Sequence, residues 1–378
     1  MVTAVGRDWP GAVELDVTVS GGGACRALAY PALTGRPEPG DRVLLNTTAL
    51  AQGLGTGGYA FVVAIPDRLP PDPVGSDAVP GSDALPGSGA WLGRGHLVKA
   101  RYTPLQATVL GVDEQDSPHH EVLRDADDLG GMPVVVADLH SALPAVLAAT
   151  RTSPRTPPGG QDSAPAPPRA VYVMQDGGAL PAWFSRTCAA LREAGWLAGT
   201  ITVGQAFGGD LEAVTLHTGL LAARHVLGAD LAVVAQGPGN LGTGTRWGFS
   251  GVACGEAVNA VAVLHGRPVA SLRISEADAR QRHRGVSHHS LTAYGRVALA
   301  RADVVVPDLP GEFGAGVTAQ AAPLGEKHDL VRVSLDGLHE ALRACPVPLS
   351  TMGRGLDQDL AYFLAAAAAG RHAVSLLT

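Results

Sequence analysis

The apolar positions follow two regimes. Up to Ile65 they come in short alternating or β-rich runs, AVELDVTV, ACRALAY, DRVLLN and YAFVVAI, separated by Gly, Pro and Asp. Alternation places successive side chains on opposite faces of a strand. Turn residues at close intervals join such strands into a compact all-β unit. This part of the chain therefore predicts a small, barrel-like β domain. HLVKARYT and QATVLGVDE, within 96–114, have the same character and are expected to complete it.

From residue 117 the period changes. PVVVADL, AVYVMQD, GTITVG, LAVVAQG, PVASLRIS and DVVVP are apolar on both faces, and amphipathic or alanine-rich stretches of helical length separate them. Strands that are apolar throughout belong in a parallel sheet covered by helices. Strand–helix alternation joins them by right-handed crossovers. The fold class expected is α/β, a mostly parallel, doubly wound, Rossmann-like sheet preceded by the small all-β domain. The expected domains are 1–116 and 117–378.

Two stretches break both patterns. The segment 66–94 and the segment 151–169 are rich in Pro, Gly, Ser and Asp. Neither can bury enough apolar surface to fold alone, so both are expected to be disordered loops or inserts.

Composition narrows the function classes. With 28 Lys+Arg against 35 Asp+Glu, the net charge is −7, which argues against a general nucleic-acid partner. The first residues, MVTAVGRDWPGAVELDV, lack the basic-then-apolar pattern of a signal peptide. No run reaches the roughly 18 apolar residues that span a membrane. The expectation is a cytoplasmic protein with no membrane partner. The four cysteines are far apart and form no C-x-x-C pair, so neither a structural zinc of that spacing nor a disulfide is expected.

Open α/β sheets bind ligands beyond the carboxyl ends of their strands. The residues to inspect there are Asp138, His140 and Ser141; Gln175, Asp176 and Gly177; Gln205; Gln236; and Arg273 and Ser275. After the strand LAVVAQ comes GPGNLGTGTRWGFSG, in which Gly237, Gly239 and Gly242 match G-x-G-x-x-G. Such a loop lets backbone approach phosphate. The next helix begins nearer Ser250, however, and no acidic residue closes the following strand. Anion binding by the glycines with Thr243 and Arg246, dinucleotide binding, and a plain turn all stay open. Asp210 and Glu212 read as the cap and first turn of a helix, and Cys254 as a small buried thiol.

The cations of this acidic chain gather in RQRHRGVSHHS, which holds Arg280, Arg282, Arg284, His283, His288 and His289. It follows PVASLRIS, one strand–helix unit after the glycine loop. Guanidinium groups fit phosphate or carboxylate in two-pronged fashion. His288 or His289, with Asp176 or Asp138, could transfer protons. An internal ion-pair network or a subunit interface is the rival reading. A metal is a further one: adjacent histidines on an extended chain diverge, so His119, His120 and His140 would have to supply ligands.

MQDGGALP, AFGGDLEAV, GPGNLGTGTRWGFSG and RQRHRGVSHHSLTA, in this order, resemble a bacterial family classed as domain of unknown function 3866, and YTPLQATVLGVDEQDSPHHEVL and LHSALP fit it too. The resemblance implies no reaction, cofactor or catalytic residue; it implies that the Pro-rich breaks are variable inserts. The reading from the residues is an enzyme, with hydrolysis favoured, acting on a small anionic, phosphorylated or nucleotide-like ligand. The alternatives are a non-catalytic ligand-binding or regulatory protein and a structural homo-oligomer with the Arg-His stretch at its interface. No cofactor is identified, and a divalent metal is left open.

Overall fold

The computed structural model describes residues 1–55, 57–68, 92–152 and 166–377. The expectations of disorder over 66–94 and 151–169 fall largely outside these residues. Strands β1 (Val2–Trp9), β2 (Ala12–Thr18), β3 (Ala24–Ala29), β4 (Leu44–Asn46) and β5 (Ala60–Ala64) form one sheet in the order β1-β2-β3-β5-β4. Its pairings are antiparallel except for β3 with β5. The Val2 amide donates to Asp41 O (2.8 Å) and Gly40 to Val2 O (2.9 Å), which ties the outer strand to the chain entering β4. Val13, Leu15, Val17, Ala27 and Val62 close a small core of its own. A second cluster, Tyr59 and Leu28 with Trp183 and Phe207, fastens this sheet to the larger body.

Strands β6 (Leu92–Lys99) and β7 (Ala107–Val109) pair with each other and do not complete that sheet. Their partners lie elsewhere. Val112 donates to Glu212 O (2.7 Å), and the buried Lys99 ammonium donates to Gly204 O (2.6 Å) and Ala213 O (3.2 Å). A buried ammonium needs such acceptors, and Gly204 and Ala213 supply them at the edge of the second sheet.

That second sheet has eight parallel strands: β8 (Pro133–Val136), β9 (Ala170–Gln175), β10 (Gly199–Thr202), β11 (Leu211–Glu212), β12 (Leu231–Gln236), β13 (Arg267–Ser271), and, after the short strands β14 (Ile274–Ser275) and β15 (Gly285–Val286), β16 (Asp303–Pro307) and β17 (Asp329–Val333). Their order is β11-β10-β9-β12-β8-β13-β16-β17. The single-turn helices α1 (Pro31–Thr34), α2 (Thr48–Ala51) and α3 (His120–Leu123) precede the sheet. The main helices are α4 (Leu143–Thr152), α5 (Arg186–Glu193), α6 (Leu216–His225), α7 (Ala253–Val263), α8 (His288–Thr292), α9 (Gly311–Ala321), α10 (Leu338–Arg343) and α11 (Leu360–Ser375).

Alternate strand residues feed two cores. Val134, Val136 and Val234 pack with α6, α7 and α9, while Val135, Val233 and Ala235 pack with α4, α5, α10 and α11. The protein is thus an α/β protein whose parallel sheet is covered on both faces. Connections leaving β12 and β8 run to opposite faces, so a crevice opens at the carboxyl ends of the central strands β12, β8 and β13. No helix among the described residues is long and apolar enough to cross a membrane.

One element departs from its sequence pattern. Leu211–Glu212 pairs with Ile201–Thr202 as an edge strand. Helix α6 begins only at Leu216, capped by Thr215, whose hydroxyl accepts the Thr218 amide (3.2 Å). Asp210 instead accepts the Thr200 amide (2.7 Å).

Candidate functional site

At the carboxyl end of β8, Asp138 is buried, and its Oδ2 accepts two hydrogen bonds, from Arg273 Nη1 (3.0 Å) at the end of β13 and from His289 Nδ1 (2.9 Å) on α8. Gln236, ending β12, donates Nε2 to the Asp138 carbonyl (2.7 Å). The ends of three central strands thus meet at one residue, Asp138. Burial opposes its ionisation, but the His289 hydrogen bond and the Arg273 charge outweigh that and hold the carboxyl below its ordinary value. Its other oxygen, Oδ1, is buried with no partner among the described residues. Gly251 makes room for it, since a Cβ at that position would lie 1.8 Å from Oδ1.

Helix α8 brings the histidines together. Ser287 is its N-cap, accepting the His289 amide (3.2 Å). On the first turn of a helix, neighbouring side chains do not diverge as they do on an extended chain, and the His288 and His289 rings have centroids 4.5 Å apart. His283 joins them from upstream, its centroid 5.0 Å from His288 and 4.9 Å from His289. One ring nitrogen from each lies within 4.8 Å of the others. His283 Nδ1 is 2.8 Å from Ser287 Oγ, and His288 Nε2 is buried with no partner among the described residues. Phe249 stacks on His289, with centroids 3.8 Å apart and planes at 6°. Burial, reinforced by Arg273 and Arg280, pushes His283 down to about 3. Burial, with His289 and Arg282, pushes His288 down to about 4. Both rings are therefore neutral at pH 7.

The glycine loop reaches this place, but not as a cradle around a helix N-terminus. It is an antiparallel flap closed by Gly242 and Phe249. The Thr243 amide donates to Gly248 O (2.7 Å), Gly248 to Thr245 Oγ1 (3.1 Å) and Gly237 to Gln175 O (3.1 Å). The hydroxyl of Thr243 lies 3.1 Å from that of Thr245. The Gly237 and Thr243 amides and the Thr243 hydroxyl, expected to face a ligand, are thus spent within the protein. Gly239 and Arg246 are exposed on the flap. Ser250 anchors its base, donating to Gln236 Oε1 (2.5 Å) and accepting the Leu241 amide (3.1 Å).

The three arginines part company. Arg280 is bidentate on Asp278, at 2.9 and 2.8 Å, and this hydrogen bonding holds the Asp278 carboxyl well below the usual carboxylate range. Arg284 reaches only the Glu276 carbonyl, at 3.5 Å. Arg282 is exposed beside the flap, where a Cβ on Gly244 would lie 3.7 Å from its guanidinium. Arg354 pairs with Asp359 (2.9 Å) and approaches Asp278 (3.5 Å). Arg273, Arg280 and Arg354 thus face Asp138, Asp278 and Asp359, and the network beneath the histidines is neutral.

The remaining expected residues lie apart from the histidines. Asp176 accepts the Gln205 amide (2.8 Å). His140 has both nitrogens engaged, by Tyr172 OH (3.0 Å) and Ser185 Oγ (2.7 Å). His120 Nδ1 is held by Asp113 O (2.8 Å), and the His119 amide by Ser117 Oγ (3.1 Å). Among the described residues the one metal-competent cluster is His283, His288 and His289, not His119, His120 and His140. The signal for it in the sequence was Ser287 standing before HHSLT: a capping serine predicts a helix start there.

A cleft of about 1140 Å³ lies elsewhere, lined by Arg7, Trp9, Arg186, Cys188, Arg192 and Asp210 among others. Its Arg192 is committed to Asp210 (3.1 Å), and burial pushes Cys188 up to about 12, so the thiol is inert. Cys254 is likewise raised far above its ordinary value by burial.

No curated protein and no solved structure matches the chain. The family model described as "Protein of unknown function (DUF3866)" matches residues 26–370, from the N-terminal sheet through the flap and histidines to α11, and the chain belongs to that family.

Proposed function

We propose that the protein is an enzyme that hydrolyses a small anionic ligand bound where the flap meets Arg282. The observation that carries this reading is the Asp138–His289 pair at the central crevice, 2.9 Å apart, with an unspent guanidinium at its mouth. A buried carboxylate that fixes an imidazole by its Nδ1 sets that ring for work at Nε2. Arg282 has no ion pair or hydrogen bond among the described residues, so it is the cation available to a ligand. Arg246, on the flap, is the second. The apolar flap residues Leu241 and Trp247, 71% and 57% exposed, are placed to cover an occupant. On the same reading the N-terminal sheet is a separate barrel-like module and the protein works in the cytoplasm.

The test is a panel of phosphate and carboxylate esters. Arg282→Ala is expected to raise KM about tenfold with kcat little changed, because it removes binding without touching the reacting groups. His289→Ala is expected to lower kcat by at least about a hundredfold. No turnover of any ester, together with no rise of the melting temperature in inorganic phosphate, overturns the reading.

A further inference from the structure

We propose that His283, His288 and His289 bind one divalent transition metal of the zinc class, leaving a coordination position open to an anion. This deepens the proposed function, since the open position would lie at the same crevice, and it rests on that reading for its ligand but not for its metal.

Four observations carry it. The first is the ligand set. Three imidazoles with one nitrogen each within 4.8 Å suit zinc, which takes histidine nitrogens at about 2.0–2.1 Å and in catalytic sites keeps one position open. Side-chain rotation closes that spread onto a single ion. The second is orientation. Metal-binding histidines pass their other N–H to a carboxylate or similar acceptor, which fixes the tautomer. His289 does so to Asp138 (2.9 Å), and His283 Nδ1 has Ser287 Oγ at 2.8 Å. Both therefore keep Nε2 for a ligand.

The third is an unpaid polar atom. His288 Nε2 is buried and unpartnered among the described residues, whereas the buried His140, a metal-ligand candidate from the sequence, has both nitrogens satisfied by hydroxyls. Buried polar atoms without partners are rare enough to require an explanation, and a metal supplies one. The fourth is charge. The buried guanidinium of Arg273 and its neighbours Arg280 and Arg354 are matched by Asp138, Asp278 and Asp359, and the unmatched Arg282 is exposed to solvent, where its repulsion is screened. Three neutral imidazoles would leave the charge of a divalent ion uncompensated, and an anion would be drawn to the open position. Phe249, stacked on His289, keeps that side dry.

The experiment uses the full chain purified without a histidine tag and stripped with a chelator. Zinc(II) is titrated by calorimetry, and cobalt(II) is followed by its visible spectrum. One equivalent per chain is expected, with the absorption of a low-coordinate cobalt–imidazole centre. His288→Ala breaks no hydrogen bond at Nε2, so the metal-free variant should melt with the metal-free wild type, yet its zinc affinity should fall at least about a hundredfold. Should the alanine variant fail to fold, His288→Asn keeps a polar side chain and carries the same expectation. His120→Ala should bind as the wild type does. Absence of stoichiometric binding, binding that survives substitution of His288, or binding lost with His120 overturns the proposal. If zinc does not bind while phosphate still raises the melting temperature through Arg282, the metal inference falls and the proposed function stands. If zinc binds at one per chain while phosphate has no effect, the reverse holds.

Discussion

Two buried charged clusters sit at carboxyl ends of strands in the same parallel sheet, and they are finished differently. At the β10–β11 edge, Glu212 accepts Thr202 Oγ1 (2.7 Å) and the Gly208 amide (2.6 Å), and Lys99 spends its protons on two carbonyls with Glu212 3.7 Å away. Nothing there is left open. At the centre, Asp138 Oδ1 and His288 Nε2 have no partner among the described residues. Where burial serves only the fold, polar atoms are closed off. The centre leaves two unclosed, as Trp183 Nε1 and Arg371 Nε are elsewhere, and the proposed function rests on these two lying beside the Asp138–His289 pair at the β12–β8–β13 crevice.

The largest expected effect breaks the comparison by removing one cation from each cluster. Arg273→Met strands the buried Asp138 carboxylate, and breaking a buried pair in this way costs about 3–5 kcal/mol. Lys99→Met should cost less, because Glu212 can take up a proton: burial, against Lys99 and Thr202, already pushes it up to about 7. Urea unfolding of the two variants at pH 6 measures both. Equal losses would show that the two carboxylates are held alike.

Next in size is a single methyl group. Gly251→Ala puts a Cβ 1.8 Å from Asp138 Oδ1, so the carboxylate must move. Overpacking of this kind costs about 1–3 kcal/mol, and the displaced Asp138 should also loosen His289 and weaken zinc binding at least about tenfold. Gly242→Ala, nine residues earlier on the flap, meets nothing nearer than 4.0 Å and is the matched control. Unfolding and zinc titration of both variants decide whether the open oxygen is held in place for a purpose.

Much of the fold could be read from the chain because a doubly covered strand has little choice of residues. PVVV and LAVVAQ are apolar on both faces, and they became β8 and β12. The edge of the sheet was harder. Leu211–Glu212 looks helical by its neighbours and is a strand only because Ile201 and Thr202 lie beside it. The central site was half legible. Asp138, His288 and His289 stand out in the sequence, but the place of His283 beside them does not, because the geometry of the histidine pair depends on the Ser287 cap. The glycine loop is legible only in part. Its pattern describes backbone that can approach a phosphate, but Thr243, Thr245 and Gly248 satisfy one another across the flap. Nor does composition say which arginine is spent: Arg280 and Arg282 are two residues apart, and only one has Asp278 in range.

The smallest expected effect sharpens the contrast through pH. Glu212 titrates at about 7 in the folded chain against an ordinary 4.5, because burial disfavours its charge more than its hydrogen bonds and Lys99 favour it. Between those two values the folded protein holds a proton that the unfolded chain has released. Folding stability should therefore fall as the pH rises from about 5 to about 7, by at most about 1.4 kcal/mol per pH unit. Glu212→Gln keeps the shape and removes the titration, so its stability should lose this slope. Paired urea curves at pH 5, 6 and 7 measure it. A wild-type slope that persists in Glu212→Gln would mean that another group sets it, and that the edge cluster is not the closed, passive counterpart to the centre that its hydrogen bonds describe.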